Sequence, residues 1–267
     1  MFLHRELLIL ILVLTLHSQV LVLVTHAVQT GEIIRSREAE PHSRPYMVLL
    51  EGLKEDGNIS QCGGFLLNED FVMTAAHCKA KYTAFLGVHN VHNRAEIQTI
   101  SVEKKYPHKN YNEDDYKGDI MLLKLSSKAK FSKDVKPIAL ADQGDGSLPT
   151  NCAISGWGRS VQNSKYMTNV LMEVNVTLVD SKECAQHKVY CTDVEAGPGK
   201  GDSGGPLVCG DGKAYGVVSI LHQDPDASKR YQYTKIPDYR SWIDLINGVR
   251  CPRCPPRVCN TVRGSAK

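Results

Sequence analysis

The 267-residue chain is long enough for one large all-β unit or two smaller barrels, and either would bury a sizeable core. Apolar residues make up 42% of it and charged residues 23%, which excludes a wholly disordered, collagenous or multi-span membrane protein. The net charge of +3 is unevenly placed: Arg250, Arg253, Arg257, Arg263 and Lys267 end the chain with no acid among them, so the remainder is slightly acidic and gives no case for nucleic-acid binding.

In chain order, the runs from Leu7 to Leu14 and from Val20 to Val24 are nearly all apolar, with His17, Ser18 and Gln19 between them. The pattern predicts a signal peptide over residues 1–30. A single-pass anchor is the alternative, since together the runs approach the roughly 20 residues of a bilayer span. The polar break and a processing site just downstream favour removal, after which no stable membrane insertion is expected. Nine cysteines behind a secretory leader imply disulfides, and the odd number leaves at least one free or paired between molecules.

Between Arg44 and Ile236 the apolar runs are short and broken by Gly, Pro, Asn and Asp, a strand-and-turn pattern. Strands are predicted at Tyr46 to Leu50, at Ile120 to Leu125, and through the alternating Val174, Val176 and Leu178. Pro206 to Cys209, Gly210-Asp211-Gly212 and Tyr215 to Ser219 read as a hairpin. One helix is predicted late, with Asp238 capping a segment that carries Trp242, Ile243, Leu245 and Ile246 before Gly248 stops it. Many short strands and a terminal helix argue for a sandwich or barrel. Residues 249–267, with Cys251, Cys254 and Cys259 among prolines and like charges, are predicted to be a disordered tail. A zinc site would need a fourth ligand that the tail does not supply. Its charge predicts weak attraction to polyanions such as anionic proteoglycans.

Three segments carry chemistry. Thr74-Ala75-Ala76-His77-Cys78 puts a His at the end of an apolar strand, and Gly118-Asp119-Ile120-Met121-Leu122-Leu123 puts an Asp at the head of another. Gly201-Asp202-Ser203-Gly204-Gly205-Pro206 sets a Ser between glycines. Amide hydrolysis needs a nucleophile that loses its proton as it attacks, an imidazole to take that proton, and a carboxylate to hold the imidazole's tautomer and orientation. Glycines beside the Ser let backbone amides approach the developing oxyanion.

In the order His, Asp, Ser, these segments resemble the chymotrypsin-family serine peptidases. The resemblance runs from Gly31 to about Gly248 and includes Cys62-Gly63-Gly64-Phe65-Leu66-Leu67 and Ser155-Gly156-Trp157-Gly158. Gly31-Glu32 before Ile33-Ile34, and Glu38-Ala39-Glu40-Pro41-His42-Ser43-Arg44-Pro45-Tyr46-Met47, are similar to the granzyme, chymase and mast-cell protease branch. The resemblance implies an all-β peptidase domain over residues 33–248, built as two six-stranded antiparallel β-barrels with a C-terminal helix. Its cleft would hold the triad His77, Asp119 and Ser203, with Gly201 and Ser203 as the oxyanion hole. The implied protein is a secreted or granule-stored serine endopeptidase acting on peptides or proteins through an acyl-enzyme, without cofactor or metal. Removal of the dipeptide 31–32 would free Ile33 to pair with Asp202, a carboxylate that needs a cation if it is buried. Disulfides are implied between Cys62 and Cys78, Cys152 and Cys209, and Cys184 and Cys191. Asn58 and Asn175 lie in glycosylation sequons.

The primary pocket departs from the family pattern. Gly197 and Pro198 fall at its base without an acid, Ser219 matches the serine that orients the triad Asp, Leu221 stands where Gly is usual, and Tyr231 where a small residue is common. Arg35-Ser36 replaces two glycines after Ile33-Ile34. The expectation is a preference for small or medium apolar residues before the scissile bond, with low turnover. The alternative function is a catalytically impaired homologue that acts as a binding protein.

Overall fold

A computed structural model describes residues 36–93, 95, 97–144, 148–159, 166–194, 196–223 and 229–248. The predicted leader, the activation dipeptide, Ile33 and the tail lie outside them. The strands are β1 Arg37–Glu38, β2 Met47–Leu53, β3 Ile59–Leu66, β4 Phe71–Thr74, β5 Lys81–Leu86, β6 Gln98–Pro107 and β7 Met121–Leu125. There follow β8 Asn151–Gly156, β9 Met172–Val179, β10 Val189–Asp193, β11 Pro206–Cys209, β12 Ala214–Gln223 and β13 Lys229–Lys235. Two short helices are α1 Lys182–Gln186 and α2 Arg240–Ile246.

Strands β2-β3-β4-β7-β6-β5 close into one antiparallel barrel. Strands β9-β10-β13-β12-β11-β8 form the second ring, closed by the β8 to β9 pairing, and β1 adds to β9. Closure leaves few open edges, which suits a sequence of many short strands. In β9 the residues Val174, Val176 and Leu178 point into the core while Asn175 and Thr177 face out, the period-two pattern read from the sequence. Leu66, Val72, Leu122 and Leu123 belong to the buried cluster built around the first barrel. Val176, Leu207, Val218 and Tyr233 pack inside the second. A third apolar cluster joins them: Met47, Leu49 and Phe85 of the first barrel meet Trp157 and Leu171 of the second.

The late helix is shorter than the predicted segment and is not capped by Asp238. Ile236–Tyr239 forms a 3-10 turn with a proline near its start, so Asp238 sits inside that turn. Tyr239 occupies the cap position of α2 and makes no side-chain capping bond. Proline fixes φ and removes a donor, which favours a tight turn ahead of the helix. Ile243 then buries itself against the first barrel, and Gly248 at φ +70° ends the segment. The helix α1 is an addition to the single terminal helix expected. It carries Cys184 and ends within the short span to Cys191, and the Ser181 hydroxyl accepts from the Cys184 N–H at its start.

Candidate active site

Three disulfides occur among the described residues: Cys62 with Cys78, Cys152 with Cys209, and Cys184 with Cys191. The first ties the loop that carries His77 back to β3, across a sequence separation of 16. Closing a loop of that size removes about 3 kcal/mol of denatured-state entropy. Ala75 and Ala76 bury their methyls just before His77, so the loop is anchored on both sides of it.

Asp119 is fully buried at the entry to β7. Its Oδ1 accepts the His77 backbone N–H at 2.8 Å, and its Oδ2 lies 2.7 Å from His77 Nδ1. A carboxylate only accepts, so Nδ1 carries the proton and Nε2 is left with its lone pair available. The Ser219 hydroxyl donates to the same Oδ2 at 2.5 Å, and Thr234 Oγ1 donates to the Asp119 carbonyl at 2.9 Å. Both donors come from the second barrel and lock an acid of the first. Gly118 precedes Asp119 at φ +69°, where a Cβ would lie 3.0 Å from the Asn110 carbonyl oxygen, so the turn requires glycine. The Tyr116 ring stands edge-on to His77, with centroids 5.7 Å apart.

Ser203 sits in the seam between the barrels. Its carbonyl accepts from Gly63 N–H of β3 at 2.8 Å, and Cys78 Sγ is 3.8 Å from the same oxygen. The next residues bond the other way: Gly204 N–H donates to Val218 O, and Val218 N–H donates to Gly205 O, both at 2.8 Å. Gly204 has φ +87°, and a Cβ there would lie 2.0 Å from Thr74 Oγ1, which itself donates to Gly63 O. The serine loop is therefore wedged beside the His77 loop and beside Ser219. Among the described residues the N–H groups of Gly201 and Ser203 donate to no protein acceptor. Two such amides beside a hydroxyl can receive an anionic oxygen.

Asp202 points away from that cleft. Its Oδ1 accepts from Gly158 N–H at 2.7 Å and its Oδ2 from Gly199 N–H at 2.8 Å. A Cβ on Gly156 or Gly158 would come within 2.0 or 2.5 Å of the carboxylate, so the glycines bracketing Trp157 make its space. Desolvation pushes its pKa up to about 6, against the pull of the two backbone donors. Among the described residues no ion pair includes Asp202. The carboxylate faces a small cavity that Ser36 and Glu173 also line.

The five pocket residues come together only in part. The Tyr231 ring packs directly on Gly197, where a Cβ would be 2.2 Å from two of its ring carbons. In register, Tyr231 pairs with Leu221 on β12 and with Thr192 on β10. Leu221 is 44% exposed. Burial, and then the Asp202 charge, push the Tyr231 phenol up, so it stays neutral at physiological pH. Pro198 is half-buried beside Gly197, and Ser219 serves Asp119 as described. Thr234 and Tyr116 carry no local signal in the sequence, and Thr74, though it opens the His77 segment, does not announce its bond to the Gly63 carbonyl. Gly156 and Gly158 were readable as a bracket around Trp157, but their job was not.

The trypsin family model matches residues 33–243. Granzyme E of Mus musculus is 40% identical over 242 residues, covering 84% of this chain and 96% of its own. Granzyme B of Rattus norvegicus is 42% identical over 229 residues, covering 80% and 91%. Chymase of Canis lupus familiaris is 36% identical over 238 residues, covering 85% and 94%. Among solved structures, that of GrC superposes with a TM-score of 0.71 at 36% identity, covering 81% of this chain and 100% of that one. Neuropsin, a serine protease expressed in the limbic system of mouse brain, gives 0.69 at 33% identity and covers 80% and 99%. Matched across both barrels and along nearly the whole length of these relatives, the chain belongs to the trypsin family and is a serine endopeptidase.

Proposed function

We propose that Ser203 is the nucleophile, His77 its general base, and Asp119 the group that holds His77 in the reactive tautomer. The observation that carries this reading is the His77 Nδ1 to Asp119 Oδ2 contact at 2.7 Å, with Ser203 docked in the adjoining seam. Ser203 Oγ attacks the scissile carbonyl as Nε2 takes its proton, and the amides of Gly201 and Ser203 receive the oxyanion. The imidazolium then protonates the leaving amine, and water deacylates the enzyme by the same relay. Cleavage after Glu32 frees the Ile33 ammonium to pair with Asp202, which faces the cavity beside Ser36. The enzyme is secreted or granule-stored, as is typical of granzymes and chymases. A fluorophosphonate probe should label the protein once the dipeptide 31–32 is removed; an unlabelled, folded product would sink this reading.

For primary specificity, the Tyr231 ring on Gly197 takes up depth in the pocket, and Gly197-Pro198-Gly199-Lys200 offers no acid for a basic side chain. Small or medium apolar residues before the scissile bond are the best fit. Tyr231→Gly is expected to raise kcat/KM for phenylalanine at that position by about 10- to 100-fold, since each methylene accommodated in an apolar pocket contributes about 1–3 kcal/mol. A peptide library read by mass spectrometry checks it, and dominant cleavage after Lys or Arg by the parent enzyme overturns the pocket assignment.

Two surface readings can be tested on one secreted preparation. Asn58 lies exposed in the turn joining β2 to β3, and Asn175 faces outward from the middle of β9. Both are proposed glycan sites, to be read as mass lost on treatment with peptide N-glycosidase. The tail from Arg250 is proposed to attract anionic proteoglycans. Deleting it should lower the salt needed to elute the protein from heparin, and an unchanged elution would remove that role.

A further inference from the structure

After cleavage the new N-terminus at Ile33 has to reach Asp202. The family glycines that would make the new N-terminus supple are replaced by Arg35 and Ser36. Ser36 already lines the cavity that Asp202 faces, so residues 33–35 are the whole tether between a cut end and the cavity wall. Three residues reach at most about 10 Å. A tether this short delivers its end efficiently only if its far side is fixed.

That fixed side is β1, and its backbone pairing alone is slight: Arg37 with Glu173 and Glu38 with Met172 of β9. Side chains supply the rest. Glu173 is only 7% exposed, and its Oε1 lies 2.9 Å from both Nε and Nη2 of Arg37. Its Oε2 lies 2.8 Å from Arg44 Nη2. Glu38 meets His89 Nε2 at 2.9 Å, and Ala39 N–H donates to Leu171 O at 2.9 Å. The described lining of the cavity holds two carboxylates, Glu173 and Asp202, with Tyr231 close to the second. Glu173 is already ion-paired with two guanidiniums, whereas Asp202 has no ion-pair partner among the described residues and is the carboxylate that gains most from an incoming ammonium.

We propose that Arg37, Glu173 and Arg44 form a clamp that fixes β1 and so positions Ile33 for Asp202. These are positioning residues for the activated enzyme, since they do not touch the reacting atoms. The inference rests on the activation reading above and gives it a regulator. Releasing the clamp moves the firm anchor back along the chain and lengthens the tether. The effective concentration of a tethered group falls as about the three-halves power of tether length, so doubling the length costs roughly threefold.

The test uses the full-length protein cleaved after Glu32, as the parent and as Arg37→Gln, Arg37→Lys and Glu173→Gln. Arg37 is 72% exposed and Arg44 stays on Glu173 in its absence, so Arg37→Gln should fold normally. Its kcat is expected to fall about 3- to 10-fold with KM little changed. The alkaline limb of its rate profile should move to lower pH by several tenths of a unit, because a less firmly held ammonium loses its proton sooner. Free Ile-Ile dipeptide at millimolar concentration should restore part of the rate, and Arg37→Lys should fall between. If Arg37→Gln keeps the parent kcat and alkaline limb, the clamp is refuted, whatever Glu173→Gln does. If cleaved Asp202→Asn is fully active, the activation reading itself fails, and the clamp with it.

Discussion

Ser203→Ala is expected to lower kcat/KM on any peptide the enzyme cleaves by about 10⁶-fold and to abolish fluorophosphonate labelling. The loss is large because the three groups act as one unit. Without Oγ, the proton acceptor at His77 and the carboxylate behind it have nothing to activate, and only the oxyanion amides and substrate binding remain. The fold should not notice. The contacts that seat this residue are made by its backbone, from Gly63 N–H to its carbonyl, and by its glycine neighbours. The variant should therefore melt within about 1 kcal/mol of the parent, as measured by denaturant titration. Hydrolysis by the alanine variant at the parental rate would show that another residue is the nucleophile.

The features that could be read in advance were those whose signal is local. Val174, Val176 and Leu178 announce a half-buried strand because the period of two is a property of the strand itself. The serine loop is similarly readable, since positive φ at Gly201 and Gly204 demands glycine wherever the loop sits. The Asp238 cap failed for a local reason too: a capping residue and a 3-10 turn both favour Asp near Pro, and the sequence does not choose between them. What stayed hidden joins residues far apart in the chain. Thr234 and Asp119 are 115 positions apart, and Arg37 and Glu173 are 136 apart. No window along one sequence contains either pair. The strand register that brings Arg37 opposite Glu173 exists only after the second ring has closed.

The uncleaved chain is expected to be at least 100-fold slower than the chain cut after Glu32, and Asp202→Asn in the cut enzyme should cause a loss of similar size. Removing one oxyanion donor costs about 10²- to 10³-fold, and Asp202 precedes Ser203 and follows Gly201, so its placement sets both amides. The same carboxylate predicts how stability changes with pH. In the uncleaved fold its pKa stands at about 6, against 3.8 for an unperturbed Asp. The folded state thus holds a proton there more tightly than the unfolded chain does. That contribution favours the fold at low pH and is lost as pH rises through about 4 to 6. Asn cannot titrate, so the stability of Asp202→Asn relative to the uncleaved parent should increase by roughly 2–3 kcal/mol between pH 4 and pH 7. Any fixed penalty from an amide NH₂ facing one of the two backbone donors cancels in that difference. After cleavage the Ile33 ammonium compensates the ionised carboxylate, and the pH-dependent gap should shrink or change sign. Denaturant melts of both forms at the two pH values measure this directly. A gap that is the same before and after cleavage, together with equal rates with and without Gly31-Glu32, would separate Asp202 from activation.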